Sequence, residues 1–180
     1  MENTKIGNIS FGKIPRIVAV IDDFYPMETI RGLKDKDADL IEIRVDLLKN
    51  NNDTIFSYIK KIRENISIPS IGTIRETGLN RLKRLEMFKT IIPFIDAVDI
   101  EMDTDITSDV IACASTKTVI VSEHDFDKTP DINSLNSIVD RAKKLGSDII
   151  KIAAMADNRQ DVLRLLHFTE KCQENLVTIA

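Results

Sequence analysis

The chain has 180 residues, 43% of them hydrophobic and 30% charged, with a formal net charge of −4. That balance excludes a disordered chain and supplies enough apolar material for one packed domain, and no basic stripe offers itself to nucleic acid. No apolar run approaches the ~18 residues of a membrane span, and the opening MENTKIGNIS has no signal-peptide pattern.

Residues 5–13 read as a small hairpin outside the main pattern, and from there short apolar runs alternate with amphipathic stretches. The first run, RIVAVID at 16–22, precedes a helix expected over 27–36. LIEIRVDLL at 40–48 precedes a helix over 55–64, and SIGTIR at 70–75 precedes one over 81–92. DAVDIE at 96–101 leads to a weaker helix over 107–114, and TVIVSEH at 118–124 to a helix over 132–145. DIIKIA at 148–153 leads to a helix over 159–173, and LVTIA at 176–180 reads as a seventh strand. Pro, Gly and Asn punctuate the joints, among them Pro69, Pro130 and Gly146. Such alternation specifies parallel strands joined by helical crossovers within one α/β domain, residues 1–180.

An open sheet and a barrel both fit that pattern, and strand parity separates them. Side chains alternate between faces with period two. Ile41, Ile43, Val98, Ile100, Val119, Val121, Ile150 and Ile152 therefore fall on one face, β-branched and apolar as packing against helices requires. Glu42, Arg44, Asp46, Arg75, Glu101, His124 and Lys151 fall on the other, toward the C-terminal ends of their strands. Helices on both faces would bury this ionic set at several kcal/mol for each poorly paired charge, to order of magnitude. A barrel interior lets the charges pair around a ligand, at the end where barrel enzymes keep their sites.

Lys151 interrupts an apolar strand, DIIKIAA. In a dry pocket with Arg44 and Arg75 as like charges, its amine would lose its proton readily and attack a carbonyl as the neutral base. The competing reading is a lysine snorkelling to solvent from a strand end. His124, in SEHDF on the preceding strand with the same parity, can move a proton at neutral pH. An amine and an imidazole together describe one reaction class: an iminium acidifies the neighbouring C–H, a base removes that proton, and a leaving group departs. Arg44 and Arg75 suit an oxyanionic, hydroxylated substrate, while Glu42 and Asp46 either steady the arginines or accept hydroxyl protons. Without catalysis the same set would be a structural ion-pair network. His167, in LLHFTEK, reads as packing or surface. Cys113 and Cys172 form no C-x-x-C pair and share no ligand spacing with the histidines, so no metal is expected and reduced thiols in the cytoplasm are. No P-loop and no G-x-G-x-x-G is present.

EIRVDLL at 42–48, TIRE at 73–76, DIE at 99–101, SEHDFDKTP at 122–130 and KIAAMADNRQDVLRLL at 151–166 together resemble type I 3-dehydroquinate dehydratases, in family order. The resemblance implies a (β/α)8 TIM barrel and a cofactor-free dehydration of 3-dehydroquinate to 3-dehydroshikimate in the shikimate pathway. It implies that Lys151 forms the Schiff base, that His124 is the general acid and base, and that Glu42, Arg44 and Arg75 contact substrate. The family is often dimeric, so a homodimer is an expectation of the resemblance alone. Two departures stand out. The family's acidic residue and Gly-Gly after the third-strand arginine are shortened here to ETGLN at 76–80, leaving Glu76 and Glu101 as candidates to support His124. The sequence given also closes on LVTIA, about six and a half βα units, so the expectation is an incomplete barrel with weak or no activity unless a partner completes it. A class I aldolase-like Schiff-base enzyme and an inactive barrel fragment that only binds ligand or another chain are the alternatives.

Overall fold

The computed structural model describes residues 4–12 and 14–180. A two-stranded antiparallel hairpin, β1 (Lys5–Ile6) and β2 (Ile9–Ser10), opens the chain. It bears out the expected hairpin, except that Lys13 lies outside the described residues. Seven parallel strands follow in sequence order: β3 (Val18–Ile21), β4 (Leu40–Arg44), β5 (Ser70–Thr73), β6 (Ala97–Glu101), β7 (Thr118–Asp125), β8 (Ile149–Ala154) and β9 (Leu176–Ile179). Helices α1 (Met27–Arg31), α2 (Asn52–Asn65), α3 (Arg84–Ile91), α4 (Thr107–Cys113), α5 (Ile132–Leu145) and α6 (Arg159–Lys171) form the crossovers.

Local chemistry sets the boundaries. Asn51, Asp131 and Asn158 accept N–H bonds from Thr54, Ser134 and Asp161 and so cap α2, α5 and α6, each cap contributing about 1 kcal/mol. Gly146 ends α5 in the left-handed region, at φ 89°. Several expected elements are shorter than the pattern implied: the strand over 70–75 stops at Thr73, so Arg75 lies just past it, and the helix over 81–92 runs only from Arg84 to Ile91. The helix over 27–36 breaks after Arg31 into a 3₁₀ turn over Lys34–Lys36, closed by Asp37 at φ 61°. The strand over 40–48 stops at Arg44, and Val45–Leu47 turns as 3₁₀, so Asp46 leaves the strand ladder.

The outward faces pack as the parity demands. Ile41, Ile43, Val98, Ile100, Val121, Ile150 and Ile152 are buried against Ile59 and Ile62 of α2, Phe88 and Ile91 of α3, Val110 of α4, Leu135 of α5, and Leu165 and Phe168 of α6. Each such side chain contributes about 1.5–3 kcal/mol of burial. At Gly72 of β5 a Cβ would lie 2.6 Å from Ile95 Cδ1, so the tip of that side chain would have to move.

The inward face shows that the sheet curls. Leu40, Ile71, Ala97, Ile120 and Ile149, from five consecutive strands, meet in one small apolar cluster with Ile6 of the hairpin. The hairpin thus plugs the N-terminal end of the barrel, with Thr118 donating to the Lys5 carbonyl and Asn175 to Thr4. Edge strands β3 and β9 are paired on one side only, and their inward residues Val18, Val20, Val177 and Ile179 are exposed.

Candidate active site

Two residues beyond the apolar plug, the same strands turn polar. Glu42 (β4), Thr73 (β5), Asp99 (β6), Ser122 (β7) and Lys151 (β8) share the inward parity of Leu40, Ile71, Ala97, Ile120 and Ile149. Arg44, Arg75, Glu101 and His124 stand a further step toward the strand ends. Glu42, Arg44, Arg75, Glu101, Ser122, His124 and Lys151 line one cleft of about 630 Å³, with Phe126 and Ile179 at its apolar rim.

Asp99 is the centre of this network and is 1% exposed. The Lys151 ammonium donates to its Oδ2 at 2.9 Å, reaching over β7. Arg75 Nη2 lies 3.3 Å from the same oxygen. Ser122 donates to Asp99 Oδ1 at 2.7 Å and accepts from Arg75 Nη1 at 2.9 Å. Burial alone would raise the Asp99 pKa. Arg75, Lys151 and the hydrogen bonds from Ser122 and Lys151 together outweigh it and hold the group below the ordinary carboxylate value.

The expectation that cations surround the Lys151 amine is therefore corrected: its partner is a carboxylate. The curl that brings β6 and β8 together across β7 supplies it. Arg44 is likewise taken up by Asp46, through bonds of 3.1 and 2.7 Å to its two oxygens. Glu42 accepts from the buried Thr73 hydroxyl at 2.7 Å.

His124 lies with Nε2 3.3 Å from Arg75 Nη2. A guanidinium only donates, so Nε2 accepts and the neutral ring carries its proton on Nδ1. Burial first, and then the Arg75 charge, lower the His124 pKa below the ordinary imidazole value. The ring of Phe126 stacks beside it, centroids 6.0 Å apart. Neither candidate supporting carboxylate bonds to His124 among the described residues. Glu76 also lines the cleft but turns toward Arg81, 3.5 Å away, and Glu101 faces Arg75 Nη1 at 3.5 Å and is hydrogen-bonded by Arg84.

Asp99, Ser122 and Thr73 are absent from the ionic set expected from the sequence. Strand parity already faces Asp99 inward with Glu101 and Ser122 inward with His124, but periodicity alone does not show that they bond to Lys151 and Arg75. Asn80 carried no signal. It donates to the Arg75 carbonyl at 2.8 Å and accepts from the Thr77 N–H at 2.9 Å, which organises the shortened segment after β5. His167 is exposed on α6, as expected, beside Glu170. Among the described residues no group of His, Cys, Asp and Glu could hold a metal ion, and no helix is long and apolar enough to cross a membrane.

A curled parallel βα sheet with an ionic cleft around Asp99 at the strand C-termini defines the class: a TIM-barrel-type α/β protein with its site where that fold keeps one. The model of the type I 3-dehydroquinase family matches residues 20–180, and the chain belongs to that family. A 3-dehydroquinate dehydratase of Methanococcoides burtonii is 35% identical over 176 residues, which is 92% of this chain and 75% of the relative. Another, of Methanobrevibacter smithii, is 38% identical over 81% of this chain and 66% of the relative. The solved type I 3-dehydroquinate dehydratase of Clostridium difficile, described with covalently modified comenic acid, superposes with a TM-score of 0.85 at 29% identity, over 98% of this chain and 79% of that one.

Proposed function

We propose that this site dehydrates 3-dehydroquinate to 3-dehydroshikimate through a Schiff base on Lys151, with His124 as general base and acid, and with no cofactor. The observation that carries the reading is the meeting of the Lys151 amine and a neutral His124 imidazole in one cleft, tied together through Asp99 and Arg75. Family membership supports the substrate and the reaction.

On this reading each residue has a task. The Lys151 ammonium gives up a proton, its neutral amine attacks the ketone carbon, and the former ketone oxygen takes that proton up and leaves as water, giving an iminium. The positive nitrogen acidifies the adjacent C–H. His124 is neutral at pH 7 because burial and Arg75 disfavour its protonation, and Nε2 accepts that proton once Arg75 turns from it to the substrate's oxygens. The electron pair moves toward the iminium nitrogen to give an enamine. Return of the pair then expels the β-hydroxyl, which His124 protonates so that it leaves as water. Hydrolysis of the conjugated iminium releases product and the lysine. Arg44, held by Asp46, and Glu42, held by Thr73, present a donor and an acceptor for the substrate's hydroxyl and carboxylate oxygens.

Reduction with borohydride in the presence of 3-dehydroquinate tests the reading. A covalent mass increase at Lys151, with rising ultraviolet absorbance of the conjugated product in the unreduced reaction, is the expected result. Absence of both adduct and product would overturn it. A cytoplasmic, thiol-reducing setting fits the two free cysteines, Cys113 and Cys172. The homodimer expected from the resemblance remains part of this proposal, checked by the solution mass.

A further inference from the structure

Arg84 is 1% exposed, on the first turn of α3, and takes no part in the chemistry above. Its Nε donates to the Ile74 carbonyl at 2.7 Å, Nη2 bonds to Glu101, and its guanidinium lies 5.7 Å from the centroid of the Phe88 ring. Nη1 is buried with no hydrogen-bond partner, and the Glu76 carboxylate is 3.9 Å away. A buried guanidinium with one nitrogen unpaired is a poor stabiliser, since the desolvation of its charge is only partly offset. What it does supply is geometry. One prong holds the backbone immediately before Arg75, and the other holds the carboxylate that faces the Arg75 guanidinium at 3.5 Å. Asn80 fixes the next carbonyl along, that of Arg75 itself. Arg75 is therefore clamped at its main chain and restrained at its side chain, and its Nη2 is the group that meets His124 Nε2.

We propose that Arg84 is a positioning residue for His124, acting through Glu101 and Arg75 to keep the guanidinium against the imidazole. In this arrangement Arg84 occupies one oxygen of Glu101, which leaves the carboxylate only a long contact with Arg75. Without Arg84, Glu101 is free to close on Arg75 Nη1 and draw Nη2 off the ring. The charged groups facing His124 are Arg75 from the segment after β5, Asp99 and Glu101 from β6 and Lys151 from β8, with Asp103 and Glu123 also lining the cleft. Loss of the Nη2 donor at the ring and loss of the Arg84 positive charge act in the same direction, toward easier protonation of the ring.

The inference deepens the proposed role of His124, yet its test needs neither substrate nor turnover. The chain has two histidines, so proton–carbon NMR of the imidazole Cε1–H groups gives two titration curves. His167→Gln assigns them, and exposed His167 serves as the internal reference. Arg84→Met is expected to raise the His124 midpoint by about half a pH unit or more. Arg84→Lys, which keeps the charge but reaches only one of the two partners, should move it the same way by less. Glu101→Gln, which leaves Arg84 and Arg75 in place and removes the negative charge, should lower it. Opposite shifts in the Arg84 and Glu101 variants support the proposal. An unchanged His124 midpoint in folded Arg84→Lys, or shifts of the same sign in the Arg84 and Glu101 variants, overturn it. If Arg84→Met does not fold, the lysine and glutamine arms decide alone. Failure of the dehydration reading would appear instead as a missing borohydride adduct at Lys151 in the unaltered protein.

Discussion

Two layers inside this sheet are built by the same strands, on the same face, two residues apart, and they have opposite chemistry. The lower layer, Leu40, Ile71, Ala97, Ile120 and Ile149, is apolar and sealed by Ile6 from the hairpin. The upper layer, Glu42, Thr73, Asp99, Ser122 and Lys151, is polar and hydrogen-bonded within itself. The contrast teaches that height along a strand, as much as facing, decides whether an inward residue belongs to a core or a site. Where the hairpin excludes water, only apolar side chains are affordable. Where the cleft opens, charges can be paired and left reachable.

The largest effect should come from removing the amine of the upper layer. Lys151→Ala should abolish the borohydride adduct and cut turnover by about 10³-fold or more, as loss of a covalent nucleophile does. Retained turnover would place the chemistry elsewhere. Next, Asp99→Asn should lower unfolding stability by about 3 kcal/mol, because it leaves two cations in partial burial without their shared carboxylate. Urea unfolding measures it, and a change near zero would mean that the ion network contributes no stability.

A smaller, paired test compares neighbours on β7. Ile120→Val removes one methylene from the sealed layer and should cost about 1 kcal/mol while leaving the Lys151 adduct intact. Ser122→Ala should cost a similar amount but slow adduct formation, since Ser122 bridges Arg75 and Asp99. If both variants behave alike in trapping, the two layers are not functionally distinct.

The smallest effect is on pH dependence. His124 has a folded pKa below its unfolded value of about 6.5, so as pH falls through that value the unfolded chain binds a proton that the folded chain does not. Stability should therefore decline from pH 7 toward pH 5.5, and His124→Gln should flatten the decline. Asp99, also depressed, stabilises the fold above the ordinary carboxylate pKa and loses that contribution only in more acidic solution.

Much of this was legible in the sequence. Period-two alternation assigned Ile41, Val98, Val121 and Ile150 to the helix side and Glu42, Arg75, His124 and Lys151 to the interior, and both assignments hold. Boundaries were less so. A run such as LIEIRVDLL keeps its apolar pattern through a 3₁₀ turn, and only the turn after Arg44 takes Asp46 off the strand and onto the Arg44 guanidinium.

What the sequence determined by itself is therefore the succession of strands and helices along the chain, the parity of the strand side chains and most of the polar inward face, because these depend on local periodicity. What only the tertiary structure decided is who pairs with whom. Asp99 lies 52 residues from Lys151 in the chain yet 2.9 Å from its amine, and Arg84 reaches Glu101 from a helix. Such pairings follow from the curl of the sheet and the seating of helices on it, which sum over many weak contacts and leave no mark at any one position.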